Sequence, residues 1–271
     1  MKTKLGLILL TGILAVLACL YTYKAEDTRT CTRLTSLFAR VDFQTRNGAV
    51  TVSAQSDTLA RVQINRYAYG RNKEDAQQRL ARITIEDTVY GNVWSLKVNF
   101  PISSVPQGAI LNASLPAATA LNLTTANGKV TVSGMTGGIS VTTSNGDVIL
   151  TGTAGDAELN TSNGKALIQV HAGGISIQTS NGEIDCDLSL LPATRGATLT
   201  TSNGRVILRL PPDVSATINA TTTNGTVVIT GYQVQYEENT QHRIRAKIGS
   251  GASPVTITTS NADITIQNRV H

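Results

Sequence analysis

Aromatic and charged residues are both scarce in this chain: Phe, Trp and Tyr make up 4% of its 271 residues, and Asp, Glu, Lys and Arg 15%. The formal charge is +5, but no long Lys/Arg run exists and two of the cations, Lys2 and Lys4, sit in the first residues, so nucleic-acid binding is not expected. Catalytic signatures are missing as well. There is no Gly-x-Ser-x-Gly elbow, P-loop or dinucleotide fingerprint. His171, His242 and His271 are scattered, with no Cys or carboxylate at a metal-ligand spacing, so neither a metal nor any other cofactor is expected. Asp185 and Asp187 share the outer face of one strand and read as solvated carboxylates beside Glu183. The expectation is a non-enzyme.

What the chain does have is 41% hydrophobic residues, enough for a core, together with abundant Thr, Ser, Asn and Gly, as expected where short strands alternate with turns. Lys2 and Lys4 precede the apolar run Leu5 to Ala18, which has the charged start and apolar middle of an export signal. It ends in Val16-Leu17-Ala18-Cys19, similar to a bacterial lipobox, which makes Cys19 the expected lipidation site. Cleavage after Ala18 and an uncleaved anchor are the alternatives, and all three export the remainder. Residues 19–35 read as a tether carrying Cys31, polar and without periodicity from Thr22 onward. Cys186 alternates with Ile184 and Leu188 and is expected as a packed free thiol; a disulfide with Cys31 is the other reading.

Residues 36–107 predict a small α/β cap. Ala39 to Ser53 reads as two strands joined at Asn47-Gly48, and Ala60 to Tyr67 as a third. A single helix follows at Asn72 to Arg82, with Asn72 as its cap, Glu74 and Asp75 in the first turn, and Leu80 and Ile83 facing inward. Two more strands, Ile83 to Glu86 and Val93 to Phe100, complete the cap, with Trp94 as a packing residue.

Residues 108–271 carry a repeat. Asn-Gly pairs recur at Asn127, Asn145, Asn163 and Asn181 with an interval of 18 residues, then at Asn203 and Asn224, and Asn261 closes the series before Ala262. A short fixed period predicts stacked supersecondary units. In one repeat Ile139, Val141, Thr143 and Asn145 share the inward face of a strand, and Val148 and Leu150 share that face after the turn. Asn-Gly serves both a two-residue hairpin and a stacked corner with glycine at positive φ. Just past the corners stand Lys129, Asp147, Lys165, Glu183 and Arg205, alternating in sign, which favours a parallel stack with opposite charges as neighbours. Aligned Asn amides would then bond along a column.

The repeated hydrophobic-x-hydrophobic-x-Thr-x-Asn-Gly units, the export segment and the late block Ile248 to Ile264 resemble the bacterial putative-adhesin domains of unknown function called toast-rack domains. The resemblance implies a mainly β, stacked β-solenoid fold and brings no catalytic residues. The function expected is an exported, membrane-tethered cell-envelope adhesin or interaction module, with an envelope protein or glycan as partner. A passive spacer and a sensory ectodomain are the alternatives, with a polysaccharide-acting enzyme ranked behind them. The insert Tyr232 to Lys247 breaks the rhythm, and its Tyr232, Tyr236, Arg243, Arg245 and Lys247 are the predicted partner-binding residues.

Overall fold

The computed structural model describes residues 21–101 and 106–269. The chain opens with β1 (Tyr23–Leu34), a single 3-10 turn at Thr35–Leu37, β2 (Arg40–Gln44), β3 (Val50–Gln55) and β4 (Leu59–Gly70). Helix α1 (Lys73–Ala81) follows, then β5 (Thr84–Tyr90), β6 (Val93–Asn99) and β7 (Gln107–Pro116). Regular laps come next, as the pairs β8 (Ala120–Thr124) with β9 (Val130–Ser133), β10 (Ile139–Thr142) with β11 (Val148–Ala154), and β12 (Ala157–Asn160) with β13 (Ala166–Ala172). Two more laps are β14 (Ile175–Gln178) with β15 (Ile184–Leu190), and β16 (Ala197–Thr200) with β17 (Val206–Leu210). The chain finishes with β18 (Ala216–Thr221), β19 (Val227–Thr230), β20 (Val234–Asn239), β21 (Arg243–Ile248), β22 (Ser253–Thr258) and β23 (Ile264–Asn268).

These strands form an 11-stranded and a 12-stranded sheet packed face to face. The even members of the laps lie in the larger sheet and the odd members in the smaller, so the chain crosses from sheet to sheet at every Asn corner. The strands flanking Asn145, β10 and β11, therefore belong to different sheets, and the corner is no hairpin. Neighbouring laps pair in parallel and in register, as in Val141 opposite Leu159 and Val148 opposite Ala166. Each strand alternates one residue inward and one outward, which makes the core a ladder of aliphatic side chains. Trp94 is fully buried and packs against Phe38 and Phe43, with ring centroids 5.3 and 5.9 Å away, plugging the N-terminal end of the stack. Its ring nitrogen donates to Asp87 at 2.9 Å.

Helix α1 forms as expected. The Asn72 side chain accepts from the Asp75 backbone N–H at 2.8 Å, and Ala76, Leu80 and the following Ile83 are buried.

Several expectations are corrected. Tyr23–Leu34 is not a tether but the edge strand β1, paired with β4 over its whole length. Most of its side chains face solvent, so the segment lacks the apolar alternation of an inner strand. Cys31 points inward from it and is buried, and both Cys31 and Cys186 are free thiols. Nor do residues 36–107 stand apart: β2 and β3 form a first lap, pairing in parallel with β8 and β9. The insert after Tyr232 is a hairpin, β20–β21, whose second strand pairs with β18 and buries Ile244, Ala246 and Ile248. Finally, the last lap is not last in space. β22 lies between β16 and β18, and β23 between β17 and β19.

Candidate interaction site

The corner asparagines form one hydrogen-bonded column along an edge of the sandwich. Asn145 donates through Nδ2 to Asn127 Oδ1, Asn163 to Asn145, Asn181 to Asn163 and Asn203 to Asn181, each at 2.7 Å. Asn261 then donates to Asn203 at 2.6 Å, and Asn224 to Asn261 at 2.7 Å. At the other end Asn127 donates to Asn47 at 2.6 Å, and Asn47 to the Gln107 carbonyl at 3.2 Å. Asn47 is thus a corner of the same kind, missed because a long excursion separates its Asn-Gly pair from the regular period. Every amide points the same way, so each bond polarises the next. These side chains are exposed rather than inward, whereas the Thr two residues earlier is buried.

The buried Thr does two jobs. Thr161 Oγ1 accepts from the Gly164 N–H at 3.1 Å, closing its own corner, and donates to the Gly146 carbonyl of the preceding lap at 3.3 Å. The glycines are needed for close approach rather than for positive φ, which among them only Gly48 adopts. A Cβ on Gly164 would lie 1.8 Å from the Gly146 carbonyl oxygen. Ala262, whose backbone is not at positive φ, keeps its methyl partly exposed where the other corner glycines from Gly128 to Gly225 are buried.

The alternating charges form a ladder on the smaller sheet's outer side. Glu183 lies between Lys165 at 3.4 Å and Arg205 at 2.8 Å, and the Arg205 hydrogen bond holds its carboxyl below the usual range. Because β23 follows β17, Asp263 stands next after Arg205 and continues the alternation. Exposed pairs of this kind contribute roughly 0–1 kcal/mol each, so they fix register more than they stabilise. Asp185 pairs with Arg209 and Asp187 with Arg269, which makes both carboxylates members of ion pairs on that face.

The five predicted partner residues are not brought together. Tyr232 is half-buried and donates to the Leu210 carbonyl at 2.7 Å; burial raises its pKa, and it acts as a packing residue. Tyr236 stands opposite Ala246, which is buried, so it lies on the inner side of the hairpin, 46% exposed because the smaller sheet ends before it. Arg243, Arg245 and Lys247 do share the outer side, opposite Thr221, Asn219 and Thr217 of β18. Lys247 pairs with Glu237 at 3.1 Å and Arg245 with Glu238 at 3.9 Å. These bases border a flat hydroxyl and amide surface on the larger sheet. Thr198, Thr256 and Asn219 align across three strands, and Thr200, Thr258 and Thr221 align beside them.

Other reactive side chains are occupied within the fold. His171 is fully buried; its Nδ1 accepts from Thr153 Oγ1 at 2.9 Å, and burial lowers its pKa. His242 donates from Nδ1 to the Gly225 carbonyl at 2.8 Å, and burial pushes the Cys186 thiol up. Among the described residues no group of three His, Cys, Asp or Glu could hold a metal, and no helix is long and apolar enough to cross a membrane. Cys19 and His271 lie outside the described residues.

The model of the family described as Toastrack DUF4097 matches residues 39–267. The chain belongs to this toastrack family. No curated protein matches it. Among solved structures, a "putative adhesin" from Parabacteroides distasonis ATCC 8503 aligns at 11% identity and a TM-score of 0.41, covering 90% of this chain and 97% of the other. A "putative cell adhesion protein" from Clostridium sporogenes ATCC 15579 aligns at 12% identity and a TM-score of 0.34, covering 90% and 100%. A "putative adhesin" from Bacteroides fragilis NCTC 9343 gives 13%, 0.31, 90% and 97%. At these scores the likeness adds nothing to what the strand topology and the family model already show.

Proposed function

We propose that this chain is an exported, membrane-tethered interaction module of the bacterial cell envelope that binds an envelope glycan or protein and carries out no chemistry. The observation that carries the reading is the outer face of the larger sheet. There Thr198, Thr200, Thr256, Thr258, Asn219 and Thr221 present hydroxyls and amides in register over three strands, with the basic strand β21 alongside. Repetition at the strand spacing of about 4.8 Å gives such a face the form of a template for an extended partner. Attachment through Cys19 follows from the Lys-flanked apolar run before it.

The test is retention on isolated cell-wall sacculi and envelope vesicles. Thr200→Lys together with Thr258→Glu, opposite charges on facing positions, should weaken retention sharply with little change in the thermal midpoint, and unchanged retention would overturn the assignment to this face. Cys19→Ala should release the chain from membranes. A second reading, a stiff spacer, draws on the unbroken Asn column; it is favoured if no envelope fraction retains the chain.

A further inference from the structure

Tyr67 and Tyr69 do not belong to the core. They alternate with Ala68, which is fully buried, and so project from the outer face of the smaller sheet. Between Gln107 and Gly231 the chain has no aromatic residue at all, so an outward tyrosine pair is not a general feature of this surface. Their rings sit edge to face, with centroids 6.2 Å apart. With Lys24 and Glu26 of β1, Asn65 of β4, and Ile110 of β7 they line a cavity of about 530 Å³ at the start of the Asn column. That volume lies within the roughly 300–1,000 Å³ of small-ligand sites.

The lining has an apolar floor and a polar rim. Ile110 is 37% exposed, and together with the two rings it supplies the apolar part of the lining. Glycine at 108 allows the Tyr67 hydroxyl to lie against the backbone, since a Cβ there would be 2.4 Å from that oxygen. Lys24 and Glu26 form an ion pair at the rim, with the ammonium 5.5 Å from the Tyr67 ring centroid. Since the two charges offset each other, the rim suits neutral hydrogen-bonding groups better than a phosphate or a free carboxylate.

We infer that this cavity binds a pyranose ring of a neutral glycan. One C–H face of the sugar stacks on the Tyr69 ring beside Ile110, with the Tyr67 ring set roughly at right angles as a wall, and its hydroxyls bond to Asn65, Glu26 and Lys24. Aromatic side chains suit this role because they present a broad rigid surface at little entropic cost. The inference rests on the interaction reading above and gives it a ligand class at a second surface.

The experiment is a neutral-glycan array probed with the exported chain, followed by calorimetric titration of the strongest binder. Wild type should bind, and Tyr69→Ala and Ile110→Asp should each weaken affinity about tenfold or more, equivalent to about 1.4 kcal/mol. Tyr69→Phe should retain most of it. Both residues lie on the outer face, so thermal midpoints report whether the variants remain folded. Equal affinity in wild type and in folded Tyr69→Ala and Ile110→Asp would overturn the site. An array that is silent while sacculi still retain the chain would also overturn it and leave the interaction reading standing; silence in both assays would remove both.

Discussion

Asn261 donates its side-chain amide to Asn203 at 2.6 Å across 58 positions of sequence, and Asn224, which precedes it in the chain, bonds to it from the other side. The C-terminal lap is therefore held between two earlier laps. The link from Ile248 to Ser253, both opposite Ala216, passes over the start of β18 to reach this slot.

This topology makes the end of the chain structurally central. Ending the chain after Ser250 removes β22 and β23, which leaves β19 without the strand it pairs with among the described residues and β18 paired with β21. The expected outcome is loss of amide hydrogen-exchange protection throughout β18–β21, not only at the new terminus. Protection retained in β18 would mean that it re-pairs with β16 when the slot is empty.

Within the column, Asn163 both donates to Asn145 and accepts from Asn181. Asn163→Asp keeps the acceptor but sets two oxygens against each other where an amide donated, so it should cost about 1 kcal/mol at this exposed position, more than Asn163→Ala. The new carboxyl is favoured in its protonated form, which restores a donor, so its folded pKa is raised and the folded state binds the extra proton. Stability of the variant relative to wild type should thus recover as pH falls toward and below about 4, where ordinary carboxylates titrate. Urea midpoints at neutral and acidic pH check both signs.

Glycine is demanded at one place and missing from another. Gly164→Ala drives a methyl into the Gly146 carbonyl and should cost about 3 kcal/mol or more. Val170, by contrast, has a φ of 61°, where the preceding lap places Gly152 at 59°. Being partly exposed, it loses little contact on truncation, so Val170→Gly should raise stability by up to about 1 kcal/mol, seen as a small rise in thermal midpoint. A fall in midpoint would show that Val170 packing outweighs the strain.

His171 supplies a pH dependence. Burial lowers its folded pKa below the ordinary value, so the unfolded chain takes up the proton first. Its contribution is complete above about 6.5 and is lost as pH falls below that value toward the folded pKa. The urea midpoint of wild type should therefore drop between pH 7.5 and pH 5, while His171→Gln, uncharged throughout and still able to face Thr153, should show a flatter profile.

The repeat, the inward aliphatic set, the corner column and the alternating charges were all legible from residue spacing, because each lap obeys the same local rules and stacks on a copy of itself. The helix at Lys73–Ala81 was legible too, since its Asn72 cap and buried Ala76 and Leu80 are short-range features. Spacing has no access to three other features. β1 has only a few inward residues and owes its extended form to hydrogen bonds from β4. The cavity around Tyr67 joins residues from three strands that lie far apart in sequence. Lap order is the third: β18 offers equivalent backbone edges on both sides, and only long-range packing decides that β21 takes one and β22 the other. A local repeat specifies how a lap is built, while its place in the stack is decided by which edges remain unpaired when the chain closes.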